Sequence, residues 1–221
     1  MSYRPLINAI LISLLTAVSA CNAESESTLL NESADTLTEK VIAPETASAS
    51  PTVTNTAIMQ TSLGDITIGL YGKDAPLSVK NFIDYAKSDF YDGTIFHRVI
   101  DGFMIQGGGF DEDFNQKPTL APIKNEANNK IANAVGTIAM ARTFVVDSAT
   151  SQFFINVADN VSLDHRNTTA QGYGYAVFGK VLNGMDVVNK IKAVEKAPRG
   201  PHRDAPKETV AILDVTILDS E

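Results

Sequence analysis

The sequence predicts a mainly β, all-β-class fold, an antiparallel barrel or sandwich that carries two helices. Three observations predict it. Short runs rich in Val, Ile, Thr and Phe recur between residues 57 and 218. Turn-forming Gly, Asp and Asn separate these runs, and two stretches place apolar residues at helical spacing. Strands and helices do not alternate regularly, as a parallel βαβ sheet would need.

Taken in order, Ala57–Thr61 and Asp65–Leu70 flank Ser62-Leu63-Gly64 and suggest a hairpin. Asp74 stands where it can cap a helix, with Pro76 in the first turn. Val79, Phe82, Ile83 and Ala86 then fall on one helical face. Short strands are expected at Thr94–Val99, Phe103–Gln106, Thr137–Ala141, Phe153–Val157 and Val177–Val181. A second amphipathic helix fits Met185–Lys192, with Val187, Val188 and Ile191 inward. In Val210–Leu218, Ile212, Val215 and Ile217 break strict alternation but favour a strand.

The N-terminus has a different character. Arg4, the apolar run Leu6–Val18 and the small residues Val18-Ser19-Ala20 form the pattern of an export signal over residues 1–20. The run is short for a bilayer span, which needs about 20 residues. Cys21, the single cysteine, follows directly. One cysteine makes no internal disulfide, and in an exported protein the leftover thiol asks for an explanation. Val18-Ser19-Ala20-Cys21 resembles the lipobox of bacterial lipoproteins, although Leu is commoner where Val18 stands. That resemblance implies a lipidated Cys21 as mature N-terminus and membrane attachment through lipid only. Asn22 rather than Asp follows the cysteine, which by resemblance to enterobacterial lipoprotein sorting implies the outer membrane, with a soluble periplasmic protein as the alternative.

Residues 21–55 are expected to be a disordered acidic tether. Glu24, Glu26, Glu32, Asp35, Glu39 and Glu45 face Lys40 alone, and the segment has no aromatic residue and no glycine. It cannot bury enough apolar surface to offset its chain entropy. All fourteen glycines and every aromatic except Tyr3 lie from Leu63 onward, so one domain is expected over residues 56–221. The net charge of −8 leaves no basic block to neutralise phosphates, so nucleic acid is not an expected partner.

Three segments carry candidate chemistry. Phe96-His97-Arg98-Val99-Ile100-Asp101-Gly102-Phe103-Met104-Ile105-Gln106-Gly107-Gly108-Gly109-Phe110 contains two short strands bending at Asp101-Gly102. Alternation puts Phe96, Arg98 and Ile100 on one face, and sets Met104 and Gln106 against Phe103 and Ile105 after the bend. The others are Ser151-Gln152-Phe153-Phe154-Ile155-Asn156 and Tyr175-Ala176-Val177-Phe178-Gly179-Lys180-Val181.

These segments resemble, in order and spacing, the signature blocks of the cyclophilin family, and the resemblance runs from Ala57 to Leu218. GTIAMAR (136–142) and FFINVADN (153–160) are similar to the bacterial periplasmic type. The resemblance implies a closed eight-stranded antiparallel barrel capped by two helices. It also implies peptidyl-prolyl cis–trans isomerase activity on proline-containing unfolded or partly folded polypeptides of the cell envelope. By the family pattern, Arg98 is catalytic, and Phe103, Met104, Phe154 and Leu163 form the proline pocket. Gln106 would bond the substrate backbone, with Ala141, Arg142 and Gln152 along the groove, His97 lining the site and Tyr175 at the pocket. Ser162 stands where many eukaryotic relatives have Trp, implying a more open rim and weaker cyclosporin binding. Tyr175 replaces a common His.

The chemistry is consistent with those residue types. The X–Pro bond turns slowly because its C–N bond has partial double-bond character. Speeding it needs an apolar seat and a donor that favours the twisted amide over the planar one, and no cofactor or metal. A guanidinium, always charged and rigid, suits that task. A monomer is expected. The competing readings are a proline-peptide-binding chaperone and an anchored envelope scaffold, each with incidental turnover.

Other motifs fail. Gly174 to Lys180 has phosphate-loop spacing, but Val181 stands where Ser or Thr is needed. His97, His165 and His202 are far apart in sequence and form no HExxH, and there is no GxSxG.

Overall fold

The computed structural model describes residues 50–218. The export signal, Cys21 and nearly all of the tether lie outside the described residues. Ten strands and two α-helices follow in chain order. These are β1 (Asn55–Thr61), β2 (Gly64–Leu70), α1 (Pro76–Lys87), β3 (Phe96–Ile100), β4 (Met104–Gly107) and β5 (Thr137–Met140). After them come β6 (Phe153–Asn156), β7 (Val177–Asn183), α2 (Met185–Lys192), β8 (Lys196–Arg199), β9 (His202–Pro206) and β10 (Ile212–Leu218).

Eight strands form one antiparallel sheet in the order β10-β1-β2-β7-β5-β6-β4-β3. The sheet curls strongly but falls short of the closed barrel expected. Its edges β3 and β10 meet through a bridge at Ile95↔Ala211, flanked by Phe96 N–H to Val210 (2.9 Å) and Ile212 N–H to Thr94 (2.7 Å), rather than through a ladder. The β8–β9 hairpin packs against β3. Sequence inspection misses this hairpin because Pro198, Gly200, Pro201 and Pro206 read as loop.

Alternation divides the side chains of β3 to β7 between two apolar clusters, while β1, β2 and β10 feed the first alone. Inside the curl, Met59, Ile68, Phe96, Val99, Ile105, Ile138, Phe153, Ile155 and Phe178 pack with Phe82 of α1 and Val188 of α2. Outside it, Met104, Ala139, Phe154 and Val177 form a second cluster with Tyr71, and Ile100, Phe103, Leu163 and Tyr175 lean against it. The second cluster is the floor of the candidate site.

Two local expectations are corrected. Asp74 does not cap α1: Ala75 is the N-cap and makes no side-chain cap bond. The distant Glu126 does the work, accepting from Leu77 N–H (3.0 Å), Ser78 N–H (2.8 Å) and the Ser78 hydroxyl (2.7 Å). A carboxylate on free N–H groups at a helix start is favourable wherever in the chain it comes from. Phe96 does not share a face with Arg98. Phe96 pairs with Gly107 and Arg98 with Gln106, so β3 carries one extra residue, a bulge at His97. The bulge turns Phe96 inward while Arg98 and Ile100 face out.

Candidate active site

The hairpin β3–β4 builds the polar edge of the site. Gly102 adopts φ 73 at its bend, a conformation that suits glycine, and an added Cβ would meet nothing within 4 Å. The register then sets Arg98 opposite Gln106 and Ile100 opposite Met104. Strand β6 continues the outer face by pairing Gln106 with Phe154.

Together these residues enclose a cavity of about 100 Å³ lined by Arg98, Phe103, Met104, Gln106, Ala141, Arg142, Phe154, Leu163 and Tyr175. It has room for a small apolar ring. Phe154 and Tyr175 meet edge to face at 5.7 Å, a favoured aromatic geometry that stiffens one wall. A wider groove of about 280 Å³ shares Gln106, Ala141 and Arg142 with the cavity and runs on past Gln152, Thr150, Ser148 and Thr143. An extended chain entering the cavity thus has a mostly polar track beside it.

Arg98 is held loosely. Its Nη1 donates to Gln106 Oε1 at 3.5 Å, and its Nε lies 3.9 Å from Asp204 Oδ2 of β9. Its guanidinium carbon sits 6.0 Å from the Phe103 ring centre. Asp204 is a neighbour that sequence reasoning missed, since it lies on the hairpin read as loop. Arg142 is firmly committed instead. Its Nε donates to the Gly174 carbonyl (2.9 Å), its Nη2 to Ala170 (2.9 Å) and its Nη1 to Thr143 (3.0 Å), while the guanidinium covers the Tyr175 ring at 4.8 Å. Arg142 therefore lines the cavity as a brace for the loop before β7, with its nitrogens already engaged.

Of the expected site residues, Gln152 borders the groove rather than the cavity, and His97 is set apart from both. His97 is buried beneath the β8–β9 hairpin, its ring 4.6 Å from Phe110 and 5.6 Å from His202, and its Nδ1 has no hydrogen-bond partner. Burial, and then the neighbouring His202 and Arg98, lower its pKa from 6.5 to about 4. Among the described residues no group of His, Cys, Asp or Glu is gathered to hold a metal ion.

The chain is similar to known proteins over most of the described domain. The chain is 59% identical over 159 residues to a peptidyl-prolyl cis-trans isomerase of Acinetobacter baylyi, covering 72% of this chain and 83% of that one. It is 56% identical over 159 residues to peptidyl-prolyl cis-trans isomerase B of Escherichia coli, covering 72% of this chain and 97% of the relative. The crystal structure of a Cryptosporidium parvum cyclophilin type peptidyl-prolyl cis-trans isomerase shares the fold with a TM-score of 0.62 at 24% identity, over 76% of this chain and 99% of that chain. The family model described as cyclophilin type peptidyl-prolyl cis-trans isomerase/CLD matches residues 56–217, which span all but the two end residues of the sheet and include the cavity beside Arg98, so this chain belongs to the cyclophilin-type peptidyl-prolyl cis-trans isomerases.

Proposed function

We propose that this chain turns X–Pro bonds by seating the proline ring in the Phe103–Met104–Phe154–Leu163 cavity while Arg98 donates to the amide nitrogen. In the planar amide that nitrogen's lone pair is delocalised and accepts poorly. As the bond twists, the lone pair localises and becomes an acceptor. A permanently charged donor beside it then stabilises the twisted state more than the ground state, which is the condition for acceleration. Apolar walls strip water from the amide, and Gln106 and Gln152 give the flanking backbone polar partners. No bond is made or broken and no cofactor is required.

The observation that carries this reading is Arg98 in the lining of a cavity sized for a small ring, beside the apolar side chains of Phe103, Met104, Phe154 and Leu163. A protease-coupled assay on a proline peptide tests it. Arg98→Ala is expected to lower kcat/KM by roughly 10²- to 10³-fold while peptide binding persists. Wild type that binds proline peptides without accelerating them would overturn it in favour of a binding chaperone.

The proposed setting is the cell envelope, where the domain would act on folding polypeptides from a lipid anchor at Cys21, as a monomer. The support is Val18-Ser19-Ala20-Cys21 after an apolar run. Mass measurement of the mature N-terminus tests it, since an unmodified residue beyond Cys21 would exclude the anchor.

A further inference from the structure

Behind the cavity lies a set of buried amides that the isomerisation chemistry does not use. Asn133, Asn156 and Asn160 are all buried. Asn156 Nδ2 donates to Asn133 Oδ1 (3.3 Å) and Thr137 Oγ1 (2.9 Å), and Asn160 Nδ2 donates to Asn156 Oδ1 (2.6 Å). The bonds leaving this knot run to the cavity walls. Asn160 Nδ2 donates to the main-chain carbonyl of Phe103 (2.8 Å). Asn133 Nδ2 donates to the carbonyls of Leu163 (3.2 Å) and Tyr175 (3.4 Å). Asp164 accepts from the Asn133 main chain (2.7 Å) and side chain (3.1 Å), which fastens the residue after Leu163.

The choice of carbonyls is informative. Met104, Gln106 and Phe154 lie within strands, so ladder bonds fix them. Phe103, Leu163 and Tyr175 lie outside every strand, in a turn, a short 3₁₀ segment and a loop. Single main-chain bonds do reach them: Val157 N–H donates to Phe103 (3.0 Å), and Tyr175 N–H donates to Leu163 (2.9 Å) and ties those two walls once. The asparagines join these separate pieces to one another and, through Asn156 opposite Met104, to the sheet. For stability alone, apolar residues of the same shape would serve as well. A fully connected buried polar network adds a unique geometry.

We propose that Asn133, Asn156 and Asn160 are positioning residues that set the distances between Phe103, Leu163 and Tyr175 across the cavity. The proposal rests on that cavity being the proline site. None of the three lines it. Their effect on turnover passes through the walls they hold.

The test uses the full chain and the proline-peptide assay. Asn160→Ser shortens the side chain beyond reach of the Phe103 carbonyl, and it removes no helix cap because Asn160 makes no side-chain cap bond. KM is expected to rise roughly tenfold with kcat within about twofold, because wall placement affects ground and transition states alike. Val188→Ala, on the buried face of α2, should destabilise at least as much and leave KM unchanged. If Asn160→Ser proves too unstable to purify, Asn160→Thr and Asn133→Ser take the same test. An unchanged KM in the network variants, or an equal rise in Val188→Ala, overturns the proposal. Loss of turnover in Arg98→Ala is read separately and reports on the proline site itself.

Discussion

Gln106 donates its side-chain amide to Gln152 Oε1 at 2.9 Å, while its carbonyl oxygen faces Arg98 Nη1 at 3.5 Å. An arginine can only donate, so this orientation of the Gln106 carboxamide is the one Arg98 requires. The two bonds make a chain from Arg98 through Gln106 to Gln152 and leave Gln106 one free N–H for substrate. Gly109 allows it. A Cβ there would strike the Gln152 side chain first at Cγ, then at Cδ (2.7 Å) and Nε2 (2.8 Å).

Gly109→Ala should therefore force the whole Gln152 side chain out of its present rotamer, since the clash begins at Cγ. We expect kcat/KM to fall roughly three- to tenfold, with Gln152→Ala producing a similar loss and the double variant little more. Kinetics on the three variants check this. A fully active Gly109→Ala would show that the Gln152 contact is irrelevant to turnover.

His97 should make the domain sensitive to acid. Its folded pKa of about 4 lies below the ordinary 6.5, so folding favours the neutral ring. That contribution is present above about pH 6.5 and is lost as pH falls towards 4, reaching at most about 3 kcal/mol. His97→Phe replaces the ring with an apolar one beside Phe110. It should flatten the pH dependence of the urea midpoint across this window while changing turnover at neutral pH less than about threefold. A slope as steep as wild type would rule His97 out as the source.

Removing the remote cap should weaken α1. Glu126→Ala frees the N–H groups of Leu77 and Ser78 and is expected to cost about 1–2 kcal/mol by denaturant titration. Glu126→Gln keeps the acceptor without the charge and should cost less. If Asp74→Ala proved the more damaging change, the assignment of the cap would fail.

Legibility in the sequence followed the range of the interactions. Phe153 and Phe154 announce a strand because one faces the core and the other the site, and that local alternation survives inspection. The bulge at His97 does not, because one extra residue leaves no mark in the pattern and still reverses the face of Phe96. Glu126 lies 48 residues from Ser78, so its cap is a tertiary fact, and the nearer Asp74 was the natural but mistaken reading. The family pattern points to Arg142, but its bonds to the Gly174 and Ala170 carbonyls depend on a loop some thirty residues away and leave no trace in the sequence. In sequence, Asn156 at the end of an aromatic strand and Asn160 just beyond it carry no mark of burial. Their burial depends on three segments meeting behind the cavity.

The ion pair between Asp204 and Arg98 separates stability from function most clearly. Both side chains are nearly half exposed, at 45% and 43%, and the 3.9 Å separation is long. Such a pair contributes little to folding, on the order of 0–1 kcal/mol. Its effect falls on the orientation of the guanidinium: with Nε drawn towards β9, the Nη groups turn towards Gln106 and the cavity. Asp204→Asn should leave the thermal midpoint nearly unchanged and lower kcat/KM by roughly two- to fivefold, mostly in kcat. Added salt screens an exposed pair, so wild-type turnover should decline towards the variant's as ionic strength rises, while the variant responds less. Equal salt dependence in both proteins would mean that Asp204 does not act through its charge on Arg98.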